Sequence, residues 1–132
     1  MLSGGGVEIH KSLHQRDIKH FLCRHCISHP ISMYIAFLTV TPVDKGPSLS
    51  RYVKRAIKAV EDSGLKYQVT PMGTVIESDN LTSIFRLAEC AVDEVRKEGS
   101  ERISLCLKVD IRYDRNITME SKMKSLGEPN RS

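Results

Sequence analysis

The sequence has no apolar run approaching the roughly 18 residues that a membrane-spanning helix requires. It also lacks a Gly-x-Gly-x-x-Gly or Walker-type loop, so a dedicated nucleotide site is not expected. Its four cysteines are too few for a disulfide scaffold, and no segment resembles the apolar part of a secretory signal peptide. These absences predict a cytoplasmic protein that has no membrane partner.

Histidine is absent from Met33 onward, so the commonest general base and metal ligand are missing there. The first 32 residues hold five zinc-type ligands within ten positions: His20, Cys23, His25, Cys26 and His29. A zinc finger needs a second ligand pair a dozen or more residues away, and that pair is missing. We therefore expect no catalytic residue, no metal site and no cofactor, with a zinc site in the leader as the alternative.

The charge balance argues against nucleic acid as a partner. The 20 basic and 16 acidic residues give a formal net charge of +4, which is too small to indicate nucleic-acid binding by itself. The basic and aromatic motif with which ferredoxin-like domains stack RNA bases is also missing.

The 132 residues suit one folded domain, since 40% are hydrophobic and 27% are charged. Composition changes between residues 28 and 32, just before Met33. We interpret residues 1–32 as a leader that is disordered or not part of the natural protein. Residues 33–126 form the domain, and residues 127–132 are a polar tail.

Hydrophobic periodicity predicts the elements of this domain. Apolar residues alternate or cluster as in strands over 34–40, 65–70, 74–78 and 103–112, and recur at helical spacing over 49–60 and 81–95. Ser48 is expected to cap the first helix and Asp79 or Asn80 the second, while a short helix is predicted over 118–126. The order βαββαβ predicts an α+β ferredoxin-like sandwich, in which an antiparallel four-stranded sheet carries two helices on one face.

The second face of such a sheet stays open. It would present Ile35, Phe37 and Thr39 from the first strand, beside residues of the last strand, namely Ser104, Cys106, Lys108 and Asp110. Because apolar side chains in this position are unfavourable in water, we expect a partner subunit or a ligand to cover the face.

Residues 70–77 form the most suggestive segment. Gly73 would let backbone approach a ligand closely, Thr70 and Thr74 offer hydroxyls, and Met72 offers a soft apolar surface. Glu77 lies on a predicted central strand, where its carboxylate needs a partner. That partner is either a ligand donor or a basic side chain such as Lys108.

The string from Ser63 to Glu77, with Thr-Pro-Met-Gly-Thr-Val-Ile-Glu at its end, resembles the signature of the thiamine-binding, YkoF-like family. The stretches 108–112 and 118–126 resemble it too, and the likeness spans about residues 33–126. Family members often carry glycine and then an aromatic or acidic residue after the glutamate, whereas this chain has Ser78, Asp79 and Asn80.

The resemblance implies a ferredoxin-like fold, a homodimer or homotetramer assembled through the sheets, and no catalytic activity. It also implies binding of thiamine or its hydroxymethylpyrimidine moiety, for salvage, storage or sensing. The carboxylate of Glu77 could pair with the protonated ring nitrogen of the aminopyrimidine. The expected ligand-binding residues are Phe37, Thr39, Thr70, Met72, Gly73, Thr74 and Glu77.

Three alternatives remain open at this stage. The domain could sense another small metabolite, or act as an oligomeric structural or adaptor module. It could also be an enzyme with Glu77 as the base and Cys106 or Lys108 assisting, although the lack of histidine disfavours this reading.

Overall fold

Four strands and three helices follow one another in the order that the sequence predicts. The computed structural model describes residues 33–127, so the leader with its zinc-type ligands and the end of the polar tail lie outside the described residues. The elements are β1 (Tyr34–Pro42), α1 (Ser50–Asp62), β2 (Lys66–Thr70), β3 (Gly73–Ser78), α2 (Leu81–Lys97), β4 (Ile103–Ile111) and α3 (Met119–Ser125).

The strands form one sheet in the order β2-β3-β1-β4, and every neighbouring pair is antiparallel. The two long helices lie against one face of this sheet, where β1 contributes Ala36, Leu38 and Val40 to the core. This arrangement confirms the α+β ferredoxin-like fold. The strand order arises because each helix carries the chain across the sheet between two parallel, non-adjacent strands.

Alternation along the strands separates a helix-facing side from an open side. Ile76 of β3 lies beside Ala36 in the core and is fully buried, as is Ile84 of α2. The apolar stripes of both helices close the core, as their helical spacing predicts. Successive strand residues point to opposite faces, so Ile35, Phe37 and Thr39 face the open side as expected.

The caps of the two long helices differ. Asn80 caps α2 through its side-chain oxygen, which accepts the Ser83 N–H at 3.2 Å, and this confirms one of the two expected caps. The expectation for α1 is wrong, because the helix begins one residue later than a Ser48 cap requires. Leu49 is the N-cap and provides no side-chain hydrogen bond. The first turns of α1 are instead tied to Glu98, which accepts from Arg51 at 2.9 Å and from Arg55 at 2.8 Å.

The predicted short helix is present as α3, beginning with a capping box between Thr118 and Ser121. Its hydrogen bonds reach residues on the open side of the sheet rather than the helical layer. In residues 33–127, no helix is both long enough and apolar enough to cross a membrane.

Candidate functional site

The strand register arranges the open side into three rows that run across the sheet. The row under α3, called the lower row, contains Lys66, Glu77, Ile35 and Asp110. The middle row contains Gln68, Val75, Phe37 and Lys108. The upper row contains Thr70, Gly73, Thr39 and Cys106.

Glu77 is a buried carboxylate, only 6% exposed, in the lower row. Its Oε2 accepts the backbone N–H of Met119, the first residue of α3, at 2.9 Å. Its Oε1 has no hydrogen-bond partner among residues 33–127. A buried carboxylate that makes one hydrogen bond retains acceptor capacity for a further donor.

The basic neighbour of Glu77 is Lys66, which lies directly opposite it on β2. The Lys66 ammonium donates to Glu120 Oε1 at 2.9 Å. This hydrogen bond raises the pKa of Lys66, and the charges of Glu120 and Glu77 add to the effect. Lys108, the alternative partner named from the sequence, lies opposite Phe37 in the middle row instead.

Polar contacts attach α3 to the lower row. Besides the bonds at Glu77 and Lys66, the Lys122 ammonium donates to the Asp110 carboxylate on β4. No residue of α3 itself is buried, although Ile117 just before it is only 4% exposed. The helix therefore covers Glu77 through a small number of charged contacts and one apolar anchor.

The contact between Lys122 and Asp110 should depend on pH. The hydrogen bond from Lys122 holds the pKa of Asp110 below its ordinary value of 3.8. Because the folded pKa is the lower one, this contact stabilises the fold above pH 3.8 and is lost as pH falls through the folded value. We expect the amide NMR signals of α3 to move in a step below pH 3.8 that is missing in Asp110→Asn. A step below pH 3.8 that is retained in Asp110→Asn would contradict this assignment.

Gly73 lies beneath the aromatic ring of Phe37. A Cβ at position 73 would come within 2.4 Å of the Phe37 Cζ and 2.8 Å of the Thr39 Cγ2. Both distances are far shorter than a van der Waals contact. The space above Gly73, which the sequence assigns to a ligand, is therefore filled by the ring of Phe37.

Thr70 has a hydroxyl that is engaged in the β2–β3 turn. It donates to the Gly73 carbonyl at 2.7 Å and accepts the N–H groups of Met72 and Gly73 at 3.3 and 3.2 Å. Met72 itself projects from the turn with 81% of its surface exposed. Thr74 lies on the helix-facing side of β3, opposite Leu38, and is buried.

The predicted residues thus fall into two places. Phe37, Thr39, Thr70, Gly73 and Glu77 belong to the rows of the open side. Five of the seven also line a notch between the β2–β3 turn, β1 and α1: Thr39, Thr70, Met72, Gly73 and Thr74. The notch holds about 160 Å³, below the roughly 300 Å³ at which sites for metabolite-sized ligands begin. The notch alone is therefore too small for such a ligand.

The sequence analysis missed two contributors to the site, Lys66 and the N–H of Met119. Lys66 had a usable signal, because a tight turn at Pro71 and Met72 places it opposite Glu77 in an antiparallel hairpin. No sequence signal pointed to Met119, since it lies 42 residues from Glu77 along the chain. Within residues 33–127, no group of three metal-ligating side chains comes together.

Comparison with known proteins places this domain among relatives of the same size. A family model described as thiamine-binding protein matches residues 36–127. A UPF0045 protein of Methanocaldococcus jannaschii is 37% identical over 94 residues, covering 71% of this chain and 92% of the relative. A UPF0045 protein of Methanothermobacter thermautotrophicus is 33% identical over 97 residues, covering 73% and 98%.

Solved structures give the same picture of the fold. A hypothetical protein from Methanocaldococcus jannaschii superposes with a TM-score of 0.68 at 35% identity, covering 74% of this chain and 98% of that one. A candidate thiamine biosynthesis/salvage protein from Thermotoga maritima gives a TM-score of 0.63 at 23% identity, covering 71% and 98%. The second likeness bears on the fold alone.

Proposed function

Because the chain belongs to the thiamine-binding protein family, we propose that it binds thiamine or its hydroxymethylpyrimidine moiety without converting it chemically. The role of such binding would be salvage, storage or sensing. We place the event in the cytoplasm, where thiols such as those of Cys90 and Cys106 stay reduced.

The observation that carries this proposal is Glu77, a residue only 6% exposed, whose Oε1 has no hydrogen-bond partner within residues 33–127 but is still reached by solvent. A protonated aminopyrimidine presents a ring N–H, which suits a carboxylate oxygen. Met119 holds the other oxygen and so fixes the orientation of the carboxylate. A preoriented acceptor loses less entropy when a ligand binds.

The rest of the ligand would extend from Glu77 across the middle row. Phe37 and Val75 lie two residues further along their strands, about 7 Å from the lower row. An aromatic and an aliphatic side chain provide a flat apolar surface for the thiazolium ring, whose charge favours an aromatic face. Thr39 and Gly73 lie at the far end, and we assign Thr70, Met72 and Thr74 to shaping the adjoining turn.

Access to Glu77 depends on α3, which covers the lower row. The ion pairs that hold α3 are exposed and contribute little individually, so lifting the helix mainly requires breaking the Met119–Glu77 hydrogen bond and moving Ile117. We propose that the ligand enters beside α3 and that the helix closes over the pyrimidine.

Titration calorimetry on the full chain tests this function. Thiamine and hydroxymethylpyrimidine should both bind, whereas the isolated hydroxyethylthiazole should bind far more weakly because it lacks the pyrimidine that Glu77 would recognise. Absence of heat and of thermal stabilisation with both pyrimidine ligands would contradict the proposal, since saturating ligand must raise the melting temperature.

We further propose that a second copy of the chain covers the open side, forming a homodimer or homotetramer. The side presents the half-buried Phe37 and Val75 between the charged Lys108 and polar Gln68, a mixture suited to an interface core with a polar rim. Two such faces in contact would also enclose the ligand and withdraw it from water.

Cys106→Arg is expected to weaken this assembly, because it puts a bulky charge in the upper row at an exposed position. Cys90→Arg is the matched control, since Cys90 is also an exposed free thiol but lies on α2, on the helical side. Sedimentation equilibrium should give a smaller mass for Cys106→Arg alone. Equal masses for the wild type and both variants would contradict assembly through the open side.

A further inference from the structure

A second cavity lies on the opposite side of the molecule, between the C-terminal part of α1 and the N-terminal half of α2. We call it the interhelical groove. Its volume is about 380 Å³, within the range of sites for small organic ligands. Ala59, Leu65 and Leu87 provide an apolar floor, and Ser83, Arg86 and Cys90 form the wall on α2.

The charges around the groove are not balanced. Asp62 is paired with Lys58 at 2.9 Å, and Glu94 is paired with Lys97 at 3.2 Å. Arg86 makes no ion pair or hydrogen bond within residues 33–127. The one lining charge left without a counterion is therefore positive, and it faces a cavity with an apolar floor.

The free hydrogen-bond donors of the groove also favour an anionic ligand. The Ser63 hydroxyl is occupied, since it donates to the Val60 carbonyl and accepts the Leu65 N–H. The Ser83 hydroxyl has no partner among the described residues. Ser83 and Arg86 lie three residues apart on α2 and so project from the same face of the helix. A hydroxyl beside a guanidinium matches the two oxygens of a carboxylate.

From these features we infer that the interhelical groove is a second binding site, one that takes a small amphipathic carboxylate. The carboxylate would contact Arg86 and Ser83, and its apolar tail would lie on Leu65 and Leu87. Asp62 and Glu94 at the border would repel a carboxylate if they were unpaired, and their ion pairs with Lys58 and Lys97 reduce that repulsion. This site is independent of thiamine binding, because its residues lie on the helical side of the sheet.

Cys90 provides a direct reporter, because its thiol lies in the groove wall, whereas Cys106 lies on the open side as an internal control. Octanoate, below its micelle-forming concentration, serves as the probe. The rates at which N-ethylmaleimide modifies each cysteine of the full chain are then measured by mass spectrometry of peptides. We expect octanoate to slow modification of Cys90 severalfold and to leave Cys106 unchanged, and octanol and octylamine to protect Cys90 much less.

Arg86→Gln should raise the octanoate concentration needed for protection about tenfold, because a charge-assisted contact is lost. Arg102→Gln is the matched control, since Arg102 is an exposed arginine that lines neither the groove nor the shallow cavity on the other side of Cys90. Unchanged Cys90 rates with octanoate, equal slowing of Cys90 and Cys106, or full protection in Arg86→Gln would each overturn the inference. Thiamine affinity should be the same in both variants.

Discussion

Replacing Glu77 by glutamine should weaken thiamine binding by about ten- to a hundredfold, because a charge-assisted hydrogen bond contributes roughly 1.5–3 kcal/mol. The amide is similar in shape to the carboxylate, and its oxygen can still accept the Met119 N–H. The melting temperature of the ligand-free protein should therefore change little. Titration calorimetry and thermal unfolding on the same preparation measure both quantities.

Glu120→Gln is the matched control for this substitution. Glu120 is a carboxylate of the same region that pairs with Lys66, but its side chain is 83% exposed. Its replacement should leave thiamine affinity nearly unchanged, because exposed ion pairs contribute little. If Glu77→Gln keeps wild-type affinity, Glu77 is not in the binding site. If it unfolds the protein, the carboxylate charge is required for folding instead.

Gly73→Ala should destabilise the protein by about 1–3 kcal/mol, the usual effect of forcing extra volume into a packed site. The new methyl group would collide with the Phe37 ring and with Thr39, so the ring must leave its position above the turn. Denaturant unfolding measures the loss of stability. Combining Gly73→Ala with Phe37→Leu should cost less than the sum of the single changes, because the shorter side chain relieves the collision.

Gly46→Ala provides the control, since a Cβ at that exposed loop position meets no atom within 4 Å. Its effect should stay within about 0.5 kcal/mol. If Gly73→Ala is equally harmless, or if the double variant shows strict additivity, Phe37 does not pack on Gly73. The glycine would then be free for the close ligand approach that the sequence suggests.

The fold was predictable because its signals are local. The alternation of apolar and polar residues in β4 and the apolar stripes of α1 and α2 can each be recognised within a short stretch of sequence. The register of the β2–β3 hairpin follows from its tight turn. The start of α1 was not predictable in this way, since its first turns are held by Glu98, which lies 47 residues from Arg51.

The site was only partly predictable, for the same reason. Glu77 was identified from its place on a central strand, where a carboxylate needs a partner. Its partner is a backbone N–H of α3, and a backbone group carries no sequence signal. Gly73 was predicted to let the backbone approach a ligand closely. In the structure, the ring of Phe37 occupies the space that a Cβ at position 73 would need. This contact was not predictable, because Phe37 lies on another strand, far from Gly73 in the sequence.

The most direct test of the central claim is the location of thiamine on the full chain by amide chemical shifts. Titration with thiamine should shift the signals of Phe37, Val75, Glu77 and Met119 most strongly, and Glu77→Gln should require far more thiamine for the same shifts. The signals of Ser83 and Leu87 in the interhelical groove should stay in place. Shifts confined to the groove or to the notch, or no shifts at saturating thiamine, would contradict a thiamine site at Glu77 on the open side of the sheet.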